Sequence, residues 1–240
     1  MIKIENVKVM GWEASIRGMR NPMNSWEKSD SGTCGYPHHI GCANCPDHKI
    51  CNHPFRNDGV FKLGKADYEL VMKLVKAGTD HRKFMRMIAV YADITAPLYW
   101  WKEYDTYKVG TVANSCSTMH KIAEKEFTLE DFSCEHLDIR TRKILEEIIK
   151  ALNDYRTLYI NYNPNDFEIK GCPSKKDLWW QMIQLLPSSY NQKRTVMLNY
   201  EVLANIYKSR KNHKLDEWRT FCDWIKALPY SELITGGTDE

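Results

Sequence analysis

The sequence predicts an α+β fold, on three observations. Apolar residues alternate near the N-terminus and again over residues 83–95, which is the strand period. The second half instead repeats apolar residues every three to four positions, the helix period. Between the two alternating stretches lie residues 34–54, rich in cysteine and histidine with little apolar content to fold around. Strands early and helices late, interrupted by a small insertion, is the α+β pattern.

Composition sets the outer limits. A chain of 240 residues and 28.2 kDa, 43% hydrophobic and 27% charged, has enough apolar material for a real core. A formal charge of +3 gives no basic stripe of the kind nucleic acid demands, so no nucleic-acid partner is expected. No window is apolar enough for a membrane helix, and MIKIENVKVM lacks a signal-peptide core; a cytoplasmic protein with no membrane partner is the expectation. Eight cysteines would suit a disulfide framework in a small secreted domain. In a chain this long, with half of them in residues 34–51, metal binding fits better.

The elements follow in order. Ile2, Ile4, Val7 and Val9 alternate imperfectly in a first strand, which Gly11 ends; Trp12 to Met19 reads as a short helix. MRNPMNSWEKSDSG is a loop by its Asn, Pro, Ser and Gly. After residues 34–54, Tyr68, Val71, Met72 and Val75 mark a helix that Gly78 stops. Lys83 to Thr95, with Met85, Met87, Ala89 and Tyr91 at alternate places, reads as a strand. Leu137 to Leu158 is a long amphipathic helix with Leu137, Ile144, Leu145, Ile148 and Leu152 on one side. NYNPNDFEIKGCPS breaks the pattern, and three helices are expected over Lys176–Leu186, Thr195–Arg210 and Leu215–Leu228.

Residues 96–120, APLYWWKEYDTYKVGTVANSCSTMH, read as one wall of a site. The first half is aromatic and suits a helix on which Leu98, Trp101 and Asp105 share a face. The second half, with Thr111, Asn114, Ser115, Cys116, Ser117 and Thr118, suits a ligand-binding loop. Asn114, Ser115 and Ser117 can donate to a phosphate or a flavin, or cap their own backbone. Ser117 as a nucleophile would need a base, and His120 lies three residues on. Cys116 is either a thiolate activated by Lys108 or an inert buried thiol. Trp100, Trp101 and Tyr104 either stack on a flat ring or fill the core. His81, Arg82, Lys83 and Arg86 either meet a pyrophosphate or form a solvated loop. Asp216 and Glu217 at a helix start need only the helix dipole to explain them.

In CGYPHHIGCANCPDHKICNHP, Cys42 and Cys45 form a CxxC knuckle that Cys34 and Cys51 complete to four sulfurs. Zinc is expected there, its binding supplying the folding energy that so little apolar material cannot. An iron–sulfur cluster, histidine ligation by His38, His39, His48 or His53, and a loop of reduced cysteines are the alternatives.

Taken in sequence, these landmarks resemble the flavin-dependent thymidylate synthases. That family has a helix ending in Gly, a strand ending near Ala-Pro, an Arg-His-Arg-x7-Ser signature containing an Asn, then Leu-Pro, Asn-x-Arg, Leu-Arg and Glu-Ile-Arg. Here Gly78, Ala96-Pro97, Asn114, Ser117, Leu186-Pro187, Asn199, Arg210 and Glu217-Trp218-Arg219 fall in that order over most of the chain.

The departures are charged ones. Tyr107-Lys108-Val109 stands for Arg-His-Arg, Ser117-Thr118-Met119-His120 for Ser-x-Arg-Tyr, and Glu201 for the Arg of Asn-x-Arg. An Arg fork grips phosphate bidentately, and Met or Glu does not replace it. Lys108, Lys193, Arg194 and Arg210 are the cations left for that work.

The resemblance implies a single ThyX-like domain over 1–240, with an antiparallel sheet flanked by helices and the Cys/His-rich insertion at 34–54. It implies a homotetramer that reductively methylates deoxyuridine monophosphate with methylenetetrahydrofolate, FAD and NADPH. Lys108, Asn114, Ser115, Ser117 and Arg210 would hold the nucleotide; His81, Arg82, Arg86, Asn114 and Asn199 would face the flavin. A flavoenzyme of the same fold acting on another nucleotide, and a non-catalytic oligomeric binding protein, are the rival functions.

Overall fold

In the computed structural model, residues 2–33, 61–164 and 173–236 are described. They build a mixed fold of helices and antiparallel sheet. Its four-stranded sheet has the order β1-β4-β6-β5, with β1 at Lys3–Met10, β4 at Ala89–Pro97, β5 at Val112–Ser115 and β6 at Asn191–Asn199. A two-stranded ribbon pairs β2, Gly32–Thr33, antiparallel with β3, Phe61–Lys62. The chain divides into two compact units. One comprises Met1–Val7, Tyr91–Met197 and Asn212–Phe221, the other Lys8–Val90, Leu198–Lys211 and Cys222–Glu240.

The second unit contains α1, Trp12–Arg20, and α2, Lys65–Ala77, followed by α7, Tyr200–Arg210, and α9, Glu232–Thr235. Gly11 precedes α1 at φ 94°, and a Cβ there would lie 2.3 Å from the Met87 carbonyl oxygen, so glycine is required on both counts. Trp12 packs edge-on to Tyr200 and Tyr230, each with ring centroids 5.2 Å away. Arg20 and Asp67 form a buried ion pair at 2.6 Å, and Ser29 also donates to that carboxylate.

The first unit holds α3, Leu98–Tyr104, the single turn α4, Thr118–Lys121, the long α5, Ile139–Ile160, and α6, Lys175–Leu185. One core cluster unites Ile122, Phe127, Phe132, Leu145, Ile149, Leu152 and Met182. A second is aromatic. Trp100 lies 4.9 Å from Trp101, 5.2 Å from Tyr104 and 4.8 Å from Trp218, which opens α8, Asp216–Lys226. Trp100, Trp101 and Tyr104 are therefore core residues, as their helical spacing allowed.

Four expectations need correction. Residues 83–87 form a 3-10 helix, and β4 begins only at Ala89. Its buried face is Val90, Ala92, Ile94 and Ala96, whereas Met87 and Tyr91 are exposed, so the alternation was real but of opposite parity. The hydroxyl-rich half of residues 96–120 is no plain loop: it supplies β5 and α4. The expected helix from Thr195 starts at Tyr200, because residues 191–199 belong to β6, a strand late in the chain. The long helix α5 begins at Ile139, so Leu137 precedes it and is exposed; its buried residues are Leu145, Ile149 and Leu152, while Ile144 faces water.

Candidate functional site

Pairing explains why so polar a segment as β5 is a strand at all. Val112, Ala113, Asn114 and Ser115 stand opposite Met197, Val196, Thr195 and Arg194 in an antiparallel ladder. The ladder continues as Cys116 N–H donates to the Lys193 carbonyl at 2.9 Å, and Gln192 Nε2 donates to the Cys116 carbonyl at 2.8 Å. All four residues of β5 are exposed, so Asn114 and Ser115 present their side chains to solvent from an edge strand.

Beside β5, a cleft of about 270 Å³ is lined by Tyr104, Asp105, Lys108, Thr111 and Ala113. The end of α3 supplies its aromatic and acidic wall, and the loop through Gly110 supplies Lys108. Arg194, across the ladder from Ser115, is clamped nearby. It donates to Asp105 at 2.9 Å and to Gln192 at 3.0 Å, with its guanidinium 4.3 Å from the Trp101 ring centre. That stacking covers Trp101, whose indole also donates to the Gln192 carbonyl at 2.9 Å. The Tyr104 hydroxyl is buried with no hydrogen-bond partner among the described residues. Burial pushes its pKa far up, with Asp105 adding to the rise, so it stays a neutral phenol.

Ser117 caps α4, its Oγ accepting the His120 backbone N–H at 3.0 Å. That contact uses the His120 main chain and not its ring, so the two do not form a nucleophile–base pair in this geometry. Cys116 is exposed, contrary to the inert buried thiol expected. Among the described cysteines the buried thiol is Cys222, pushed up to about 11 mainly by burial.

The other predicted residues lie in the second unit. Asn199 caps α7 by accepting the Val202 N–H at 3.0 Å. Arg82 meets Glu201 through two contacts, Nε to Oε2 at 2.9 Å and a donated hydrogen bond to Oε1 at 3.0 Å, with Glu201 buried. The charge of Glu201 is thereby balanced by the guanidinium expected to face the flavin. His81 and Arg86 are exposed, and Arg210 closes the last turn of α7. In the first unit the structure thus places Lys108 on the cleft, with Asn114 and Ser115 on the adjoining strand. Arg194, named in the sequence only as a spare cation, bonds to Asp105 on the cleft wall; its signal was its place in a strand opposite Ser115, which only the register reveals.

Cys34, Cys42, Cys45 and Cys51 lie outside the described residues. Among the described residues, no group of three or more His, Cys, Asp or Glu side chains is placed to hold a metal ion. No described helix is long and apolar enough to cross a membrane.

An edge-strand cleft with one lysine and the ring of Tyr104, and beside it a clamped guanidinium, thus lies on a mixed helix and antiparallel-sheet fold. No family model and no curated protein matches the sequence. Solved structures do match the fold. Flavin-dependent thymidylate synthase ThyX from Helicobacter pylori, complexed with FAD and dUMP, is similar at TM-score 0.58 and 15% identity, over 95% of this chain and 96% of that one. A second structure of the Helicobacter pylori enzyme with FAD and dUMP gives TM-score 0.60 and 14% identity, over 97% and 96%. At such identity the likeness is one of fold.

Proposed function

We propose that this chain is a flavoprotein of the thymidylate-synthase type that binds a pyrimidine nucleotide. The observation carrying this reading is the fold shared, over nearly the whole of both chains, with enzymes holding FAD and dUMP. The cleft beside β5 fits a nucleotide's polar edge. Lys108 offers an exposed cation, the Tyr104 ring forms part of the wall, and Ser115 shares its strand face with Ala113, which lines the cleft, while Asn114 points to the opposite face. His81 and Arg86, exposed beyond the Gly78 stop of α2, are the side chains we assign to FAD. The reaction proposed is reductive methylation of deoxyuridine monophosphate, with methylenetetrahydrofolate as carbon donor, NADPH as reductant and a homotetramer as the working form. FAD, when bound, supplies the hydride. Structural zinc on Cys34, Cys42, Cys45 and Cys51 belongs to the same proposal and rests on the CxxC spacing.

A second reading, a flavoenzyme of this fold acting on another nucleotide, is favoured by one observation. Glu201 stands where the resemblance expects an arginine, and it consumes Arg82 in an ion pair. Absorbance of the purified protein separates these readings from a non-catalytic role. A flavin band, present or restored by added FAD, is expected; colourless protein that takes up no FAD overturns both. Calorimetric titration with deoxyuridine monophosphate then divides them, binding abolished by Lys108→Ala favouring the first and no binding the second. Metal analysis of the same preparation checks the zinc.

A further inference from the structure

We infer a second small-molecule site in the first unit, one that takes a phosphate carried on a flat aromatic ring, as in a mononucleotide. It is a cleft of about 560 Å³ lined by Met119, His120, Tyr159, Lys175, Lys176 and Trp179, within the size range of ligand sites. None of these residues lines the cleft beside β5, and Tyr159, Lys175, Lys176 and Trp179 lie outside the resembled signature, of which Met119 and His120 form the end.

Three features support it. The walls are aromatic and fixed: Trp179 Nε1 donates to the Met119 carbonyl at 2.9 Å, and Trp179 packs edge-on to Trp180 with centroids 4.8 Å apart. Such rings offer flat apolar surface to a base. The lining is cationic and contains no carboxylate. Of the acids described close by in the chain, Asp177 accepts from Ser174 at 2.8 Å and 2.6 Å while also feeling the charge of Lys176, and Glu124 pairs with Lys121. Finally, Lys175 and Lys176 occupy the first two positions of the 11-residue helix α6. Positive charge is disfavoured at a helix start, where the peptide dipoles already point their positive ends. The pair therefore works against its helix while adding to the potential that an anion would meet. Lys175 lies 5.0 Å from the Tyr159 ring centre, which holds its ammonium at the mouth of the cleft. Two ammonium groups bind a phosphate as point charges, without the fixed fork of an arginine.

The test uses the full-length protein and adenosine 5′-monophosphate, titrated by calorimetry beside adenosine and inorganic phosphate. Binding of the monophosphate is expected, weakened about tenfold or more in Lys175→Ala/Lys176→Ala and in inorganic phosphate or adenosine alone. It is expected to persist in Lys108→Ala, which separates this site from the cleft beside β5. Both lysines are exposed, so the double variant should fold, and circular dichroism verifies it. Trp179→Phe keeps a ring but loses the bond to Met119, and should weaken binding less than the lysine pair does. A short deoxyadenosine oligonucleotide identifies the source of the chemistry: tighter binding through the same lysines assigns a single strand, equal binding the free nucleotide. No binding of the monophosphate, or binding indifferent to both lysines, overturns the inference.

Discussion

Asp93 is a carboxylate held from three sides. The Thr195 hydroxyl donates to it at 2.7 Å, Asn6 Nδ2 at 2.9 Å, and the Lys193 ammonium lies 3.2 Å away. Hydrogen bonds from Thr195, Asn6 and Lys193, in that order, lower its pKa from 3.8 to about 2. A depressed folded-state value stabilises the fold above the unfolded value of 3.8, and that contribution is lost as pH falls toward about 2. Urea unfolding across this window should show the wild type losing stability faster than Asp93→Asn, which has no carboxylate to protonate. Parallel acid limbs would refute the role given to this cluster. None of this was legible in the sequence, since the partners lie about a hundred positions apart and meet only through strand pairing. The cap at Ser117, by contrast, was legible as the ordinary use of a serine before a helical turn.

At the scale of elements, the junction of β6 and α7 shows where periodicity misleads. Val196 and Leu198 are buried on one face of β6, and Leu203, Ile206 and Tyr207 are buried on α7. Joined without a break, the two apolar sets look like one helix from Thr195. The break is Asn199, in extended backbone at φ −134° and ψ 167°, with its side chain bonded to Val202 N–H. An Asn so placed is a helix-start signal, and it could have divided the segment. The sign of one substitution decides the matter. If Asn199 caps α7, Asn199→Ala costs about 1 kcal/mol. If it lay within a helix, alanine would stabilise by about 0.5 kcal/mol through better propensity. We expect the loss, read as a lower urea midpoint at constant slope. Helix α2 was legible because periodicity and the Gly78 stop agreed, and α6 because its run ends at Pro187 after a Ser174 capping box. Strand β5 was not, because VANS has little strand preference and is held by its partner.

Over the whole molecule, a net charge of +3 conceals how many of the cations near the candidate residues are already balanced. Arg82 is matched by Glu201, Lys193 by Asp93 and Arg194 by Asp105. A protein of this fold that binds an anionic nucleotide must either use the cations outside these pairs or open a pair. The Arg194–Asp105 pair is the one positioned to open. Asp105 lines the cleft beside Lys108, and its side chain is 49% exposed against 15% for Arg194, so water can take over the carboxylate at little cost. Exposed pairs of this kind contribute about 0–1 kcal/mol, which bounds the gain from releasing the arginine at roughly fivefold in affinity. Asp105→Asn should therefore bind deoxyuridine monophosphate a few-fold more tightly than wild type. The gain should shrink as salt is raised, since a released surface cation is screened. Calorimetry at two salt concentrations measures both effects. If affinity does not change, Arg194 serves only to brace Trp101 and Asp105, and the nucleotide's anion rests on Lys108 without it.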